Sequence, residues 1–284
     1  MNIKIILNLL RVNQWYKNLV IYLALLFSIE FFNIKLLLLT TIGLISLCLM
    51  SSTNYIINDI IDRKKDTQHP EKKYRPIASG KISIELAFLI ALLLFIISSY
   101  IAYKLSILFL FVIIILFLLT LFYSLGLKNI LFLDVLMVAT NFVIRAISGT
   151  FIINRTISPW LVLCPFFLAL FLIVGKRKAD IDILKDKAYS HKAVLKYYTP
   201  EIINVLLIVS ITLLIISYSL YAFLSEHKYL LLTLPFAIYV IFRYFYLIYD
   251  SSEIARKPNK FYKDVELMIG ILLWCFITIL LLYL

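Results

Sequence analysis

Three cysteines, six glycines, seven prolines and three histidines are few for 284 residues, and the scarcity removes whole classes of chemistry. Cys48, Cys164 and Cys275 lie far apart within apolar runs. They offer no metal-ligand or redox spacing and read as packing residues at lipid depth. The glycines build no phosphate-cradling loop and no dinucleotide fingerprint. His69 and His191 have no partners at ligand spacing, and no Ser/His/Asp arrangement can be assembled. Charge is scarce as well: Asp, Glu, Lys and Arg make up only 15% of the chain, so no large soluble domain is expected. There is no linker of useful length and nothing that calls for a nucleic-acid partner. The first apolar run follows Arg11-Val12-Asn13-Gln14-Trp15-Tyr16-Lys17-Asn18, which is not a cleavable-signal pattern.

What is abundant is apolar sequence. Hydrophobic residues form 63% of the chain and the mean hydropathy is +0.99. Apolar runs fall near 17–32, 36–57, 84–101, 105–123, 133–153, 159–175, 201–224, 229–249 and 266–284, most of them long enough to cross a bilayer. The reading is all-α: one multi-span membrane helical bundle of about nine transmembrane helices, a single domain over 1–284. Residues 1–16 form an amphipathic lead-in with Trp15 and Tyr16 at interface depth. The two runs within 84–123 are separated only at Tyr103-Lys104. Ser158-Pro159 and Thr199-Pro200-Glu201 each supply a capping hydroxyl followed by proline at the first helical position.

Of the 28 Lys and Arg residues, 23 fall on one side if the N-terminus is cytoplasmic. Lys35, Lys104, Arg155 and Lys228 fall on the other side, and Arg145 within a span. The positive-inside rule therefore places the N-terminus and every candidate motif on the cytoplasmic side of the cell membrane. The net charge of +12 suits anionic lipid or an anionic substrate, and suits equally the loop bias of any multi-span protein.

Within Asn54–Lys81, Asn58, Asp62 and Asp66 recur every four residues, which on a helix forms one stripe; Asn54 extends it toward the membrane. Such a row of oxygen ligands suits a hard divalent cation, most naturally Mg2+ shared with a phosphorylated substrate. The plainer alternative is a helix end reaching water. Pro70 stops the helix near Gln68 or His69. Lys72, Lys73, Arg75 and Lys81 come next, placed to meet phosphate oxygens.

The fifth run carries Asp134, Asn141, Arg145 and Ser148 on one helical face. An Arg halfway along a span faces either an ion partner on another helix or a phosphate in a polar cavity. After the sixth run, Lys176, Arg177 and Lys178 stand beside Asp180 and Asp182, with Asp186 four residues on. This mixture is either a Mg2+–diphosphate site or a positive-inside loop. Tyr123, Ser124, Arg243, Tyr244, Lys263, Asp264 and Glu266 add polar groups at the same level. A polar pocket with apolar walls suits a phosphorylated lipid, each buried CH2 favouring the bound tail by about 0.8 kcal/mol.

The row Asn58-x-x-x-Asp62-x-x-x-Asp66, the string Arg75-Pro76-Ile77-Ala78-Ser79-Gly80 and the nine runs resemble the UbiA-type intramembrane prenyltransferase superfamily. Further strings resemble its decaprenyl-phosphate phosphoribosyltransferase branch. These are Gln14-Trp15-x-Lys17-Asn18, His69-Pro70-x-Lys72, Tyr123-Ser124-x-x-Leu127-Lys128, Arg145-Ala146-x-x-Gly149, Ser158-Pro159-Trp160-Leu161, Gly175-Lys176-Arg177-x-Ala179 and Phe242-Arg243-Tyr244. The resemblance implies transfer of 5-phosphoribose from phosphoribosyl diphosphate (PRPP) to a polyprenyl phosphate, with release of diphosphate. By the same resemblance Mg2+ is held by Asn58, Asp62 and Asp66, with Asp180 as a further ligand. Asp62, Asp66, Arg75 and Lys176 are then the catalytic set, and Lys17, Lys72, Tyr123, Arg145, Arg177 and Arg243 bind substrate. Asp180 departs from the branch, which usually has Glu there. The second Asp-rich motif of ordinary prenyltransferases is not clearly present, which argues against a prenyl diphosphate donor. The rival readings are a UbiA-type prenyltransferase with an aromatic or glycerol-phosphate acceptor, and a transporter, which lacks any evident inverted repeat.

Overall fold

The computed structural model describes residues 3–69, 71–156, 158–184, 193–227, 229–250 and 253–283. Pro70, Asp186, His191 and Lys228, named above, and Lys185, Lys187 and Lys192, counted among the 23 cations of one side, lie outside the described residues. The described chain is helical and contains no strand. It divides into two compact units, one formed by residues up to Lys128 together with Ile144–Thr156, the other by Asn129–Val143 and Ile157–Leu284.

The first unit begins with α1 (Ile3–Leu10), a 3-10 helix over Val12–Tyr22 and α2 (Leu23–Phe27). Then come α3 (Ile34–Ile61), α4 (Arg63–Gln68), α5 (Ile84–Leu105) and α6 (Ile107–Leu125). Helix α7 (Leu133–Ile153) gives its second half to this unit. Caps mark the starts: the side chains of Asn33, Ser83 and Ser106 accept from Leu36 N, Leu86 N and Phe109 N. Ser106, in extended conformation, is the break between α5 and α6, three residues after the Tyr103 expected from the sequence. Its hydroxyl caps the second helix while its backbone ends the first. Helices α3 and α5 are joined inside by reciprocal bonds, Ser46 Oγ to Ser98 O and Ser98 Oγ to Ser46 O, each 2.8 Å. Small hydroxyl residues of this kind allow close helix approach where lipid supplies no hydrophobic drive. Ile21, Leu47, Met50, Phe109 and Ile113 form the main core, and Leu9, Ile56, Ile77 and Ala87 a second one nearer the charged end.

The second unit contains α8 (Pro159–Leu184), α9 (Pro200–Leu224), α10 (Leu234–Tyr249), α11 (Glu253–Arg256) and α12 (Val265–Tyr283). Thr199 accepts from Ile202 N and Pro200 opens α9, as expected from that pair. Phe171, Val174, Leu207, Ile248 and Leu267 lie in its core. Leu38, Leu93, Phe111, Val205 and Leu272 are exposed along the long helices, which suits hydrocarbon and not water. Among the described residues eight helical segments have the length and hydropathy to cross a membrane, and the chain is a multi-pass membrane protein.

The first run is where the sequence expectation changes. Residues 17–32 do not form one α-helix; a 3-10 helix of 11 residues leads into the five residues of α2. At about 2.0 Å per 3-10 residue and about 1.5 Å per α residue, the two laid end to end cover about 30 Å, the hydrocarbon thickness. The segment is held in this drawn-out form by side chains of α3. Trp15 Nε1 donates to Ser52 Oγ at 3.1 Å, buried Asn18 accepts from Ser51 Oγ at 3.3 Å, and Tyr22 OH meets Thr41 Oγ1 at 2.9 Å. The approach to α7 needs a glycine. A Cβ on Gly149 would collide with the Ile21 carbonyl and stand 2.8 Å from Ala24 Cβ. Gly149→Ala is therefore expected to destabilise the first unit by about 1–3 kcal/mol through overpacking against backbone. A lowered melting temperature in detergent checks this; an unchanged one would show that the 3-10 segment shifts freely.

Candidate active site

Helix α3 ends at Asp62 and α4 resumes at Arg63, but the helical register passes through the junction. Asp62 N donates to Asn58 O and Asp66 N to Asp62 O, both at 2.9 Å. Asn58, Asp62 and Asp66 therefore stay on one face, and α4 ends at Gln68 as the proline requires.

Each carboxylate of the row meets a cation. Lys128, on the short turn after α6, donates to both oxygens of Asp62 at 2.7 Å. Asp66 is buried and accepts from Arg75 Nη1 at 2.6 Å, with Lys72 Nζ 3.9 Å from its other oxygen. Burial, and then the neighbouring Arg75 charge, pushes the Lys72 ammonium below its ordinary value, while Asp66 and Asp62 pull the other way. Asp59, outside the row, is also buried; Arg75 Nη1 lies 3.0 Å from its Oδ1, and Arg11 pairs with the same oxygen. Burial pushes the Arg11 guanidinium below its ordinary value against the pull of Asp59. Its Cζ lies over the Tyr55 ring, 4.9 Å from the ring centre. A cavity of about 340 Å3 opens here, lined by Arg11, Arg75, Asn8, Gln14 and Tyr74 among others.

Lys17 on the 3-10 helix and Tyr123 near the end of α6 are half-buried in this unit. Arg145 is buried, and its carbonyl accepts from Ser148 Oγ at 2.7 Å. Asp134, Asn141, Arg145 and Ser148 are all buried, as a shared helical face requires.

In the second unit several of the charged residues pair with one another. Asp134, fully buried, accepts from Arg177 Nε at 3.2 Å and from Tyr198 OH at 2.5 Å. Burial first, then the bond to Asp134, raises the Tyr198 phenol above its ordinary value. Asp180 holds Arg256 at 3.2 Å, and Lys178 holds Asp182 at 2.6 Å. Arg243 forks onto Asp264 at 3.1 and 2.8 Å, with Glu266 at 2.7 Å from its third nitrogen. That contact holds the Asp264 carboxyl below the usual range. Arg177 and Arg243, expected at phosphates, and Asp180, expected at metal, thus stand in ion pairs of the protein itself. Lys176 is half-buried on α8.

The row's donors are amide and carboxylate oxygens at successive turns, the hard set a Mg2+ ion takes. Among the described residues no three His, Cys, Asp or Glu side chains form a ready-made cage. The fit is therefore to the open mode, in which one or two carboxylates share the ion with water and substrate phosphates. Arg11, Asp59, Lys128 and Tyr198 were missed as members of these clusters. Asp59 had a legible signal, for it precedes Asp66 by seven residues, two turns in the register that runs from α3 into α4, and Lys128 stood in the string Tyr123-Ser124-x-x-Leu127-Lys128.

The model of the UbiA prenyltransferase family matches residues 19–282. The chain belongs to this family. It is 29% identical to the decaprenyl-phosphate phosphoribosyltransferase of Mycolicibacterium smegmatis, over 93% of this chain and 88% of that protein. It is 28% identical to the enzyme of the same name from Corynebacterium glutamicum, over 96% of this chain and 85% of that protein. The structure of a UbiA homologue from Archaeoglobus fulgidus bound to GPP and Mg2+ superposes with a TM-score of 0.74 at 20% identity, covering 98% of this chain and 97% of that one. Family membership makes the protein a membrane-embedded transferase with the UbiA fold.

Proposed function

We propose that this UbiA-family protein moves 5-phosphoribose from PRPP to a polyprenyl phosphate and releases diphosphate, at the cytoplasmic face of the cell membrane. The supporting observation is near full-length similarity to two enzymes named for decaprenyl phosphate, joined to an oxygen-ligand row ringed by cations. Residues 1–284 act as one catalytic domain, and the charge bias of the loops sets the orientation.

Asn58, Asp62 and Asp66 would hold Mg2+, with Asp180 as a further ligand once it leaves Arg256. The ion would supply charge neutralisation on the departing diphosphate. The chain's own cations do the rest of the positioning. Arg75, Lys72, Lys176 and Arg177 offer N–H groups to diphosphate oxygens, while Lys17, Arg145 and Arg243 are assigned to the 5-phosphate or the lipid phosphate. Tyr123 contributes a hydroxyl to substrate binding. The bond from ribose C1 to the diphosphate oxygen breaks, and a lipid phosphate oxygen bonds to C1. That nucleophile is already an anion, so no general base is needed and the lack of a His dyad is no obstacle.

The test is purified protein in detergent with Mg2+, a polyprenyl phosphate and labelled PRPP. Label is expected in the lipid phase, and to disappear in Asp62→Ala. Transfer from geranylgeranyl or farnesyl diphosphate instead would return the protein to ordinary prenyl transfer.

A further inference from the structure

Asp59 stands off the row yet is joined to it through one guanidinium. Arg75 Nη1 is shared between Asp59 Oδ1 at 3.0 Å and Asp66 Oδ2 at 2.6 Å. Asp59 Oδ1 also receives Arg11, so charge alternates along Arg11, Asp59, Arg75 and Asp66. Both carboxylates are buried, with side chains 3% exposed, where unlike charges interact far more strongly than in water. Arg11 reaches its place from a left-handed backbone (φ 49°, ψ 47°), a conformation that a non-glycine residue keeps only when its surroundings impose it. The imposed contacts are Arg11 N to Asn8 O, Gln14 N to Arg11 O, and the guanidinium over Tyr55.

We propose that Asp59 and Arg11 are positioning residues that set how tightly Arg75 holds Asp66, and so how readily Asp66 turns to a divalent cation. This rests on the reading of Asn58, Asp62 and Asp66 as the metal row. The electrostatics give the two residues opposite signs. Asp59 competes for Arg75; without its charge the guanidinium settles on Asp66 alone and the carboxylate is less available to metal. Arg11 neutralises Asp59; without it Asp59 draws Arg75 more strongly and Asp66 is released. A residue important only for folding would move both variants the same way.

The measurement is Mn2+ binding to the purified protein, tracked by the loss of free-ion paramagnetic resonance signal, with no substrate present. Asp59→Asn should weaken binding about tenfold, the usual size of an outer-partner effect on a metal site. Arg11→Met should tighten it, and Arg11→Lys, which keeps charge but loses the planar guanidinium over Tyr55, should fall between Arg11→Met and the unaltered protein. If both changes weaken binding, or neither moves it, the proposal is overturned. Should Asp59→Asn fail to give monodisperse protein, the direction of the Arg11→Lys shift decides alone. Asp66→Ala is run alongside: if Mn2+ binding survives it unchanged, the row is not the metal site and the proposal falls with that reading, whatever the other variants do.

Discussion

Asp66→Ala is expected to lower phosphoribosyl transfer about a thousandfold, since a metal-held transition-state charge contributes several kcal/mol and each 1.4 kcal/mol is a factor of about ten. Two effects act together. The row loses one of its two carboxylates, and Arg75 loses its 2.6 Å partner. The fold should survive, because Arg75 keeps Asp59 and no buried charge is left alone. Initial rates of label transfer, read beside a melting curve in detergent, separate the two. An Asp66→Ala protein that melts normally and retains more than about a tenth of the rate would remove Asp66 from the chemistry.

The largest loss of stability is expected from Asp134→Ala. Asp134 is completely buried and Arg177 nearly so, and Tyr198 OH shares the same carboxylate. Removing one partner of a buried ion pair costs about 3–5 kcal/mol, because the remaining charge has no water to turn to. Tyr198→Phe deletes only a hydrogen bond to a charged group and should cost about 1.5–3 kcal/mol. Because unfolding from detergent is often irreversible, the readout is the order of melting temperatures at one scan rate: unaltered, then Tyr198→Phe, then Asp134→Ala. Asp134→Ala melting with the unaltered protein would mean that water reaches Arg177.

Both variants bear on how much of the site could be read before the fold was known. The row Asn58, Asp62 and Asp66 was legible because one helical register runs through it, where spacing alone fixes the face. The polar face of α7 was legible for the same reason. The partners were not. Lys128 reaches Asp62 across 66 residues and Tyr198 reaches Asp134 across 64, and no local period links such pairs. Arg11 read as one more inside cation, since loop charge is expected in any multi-span protein. Arg177 and Arg243 were visible as cations, while Asp134 and Asp264, the carboxylates folded against them, were not visible as their partners.

By itself, then, the sequence determined the features set by composition and by order along a helix: membrane helices, the Thr199 cap, the end of α4 before Pro70, and a row of amide and carboxylate side chains on one face. The tertiary structure decided the features that depend on closure over long separations. It drew the first span into a 3-10 segment, because buried Asn18 and Trp15 bond to α3 and Gly149 lets the Ile21 carbonyl come close. It also decided which acid holds which base, since burial makes an unpaired charge costly and so selects a partner wherever in the chain that partner lies.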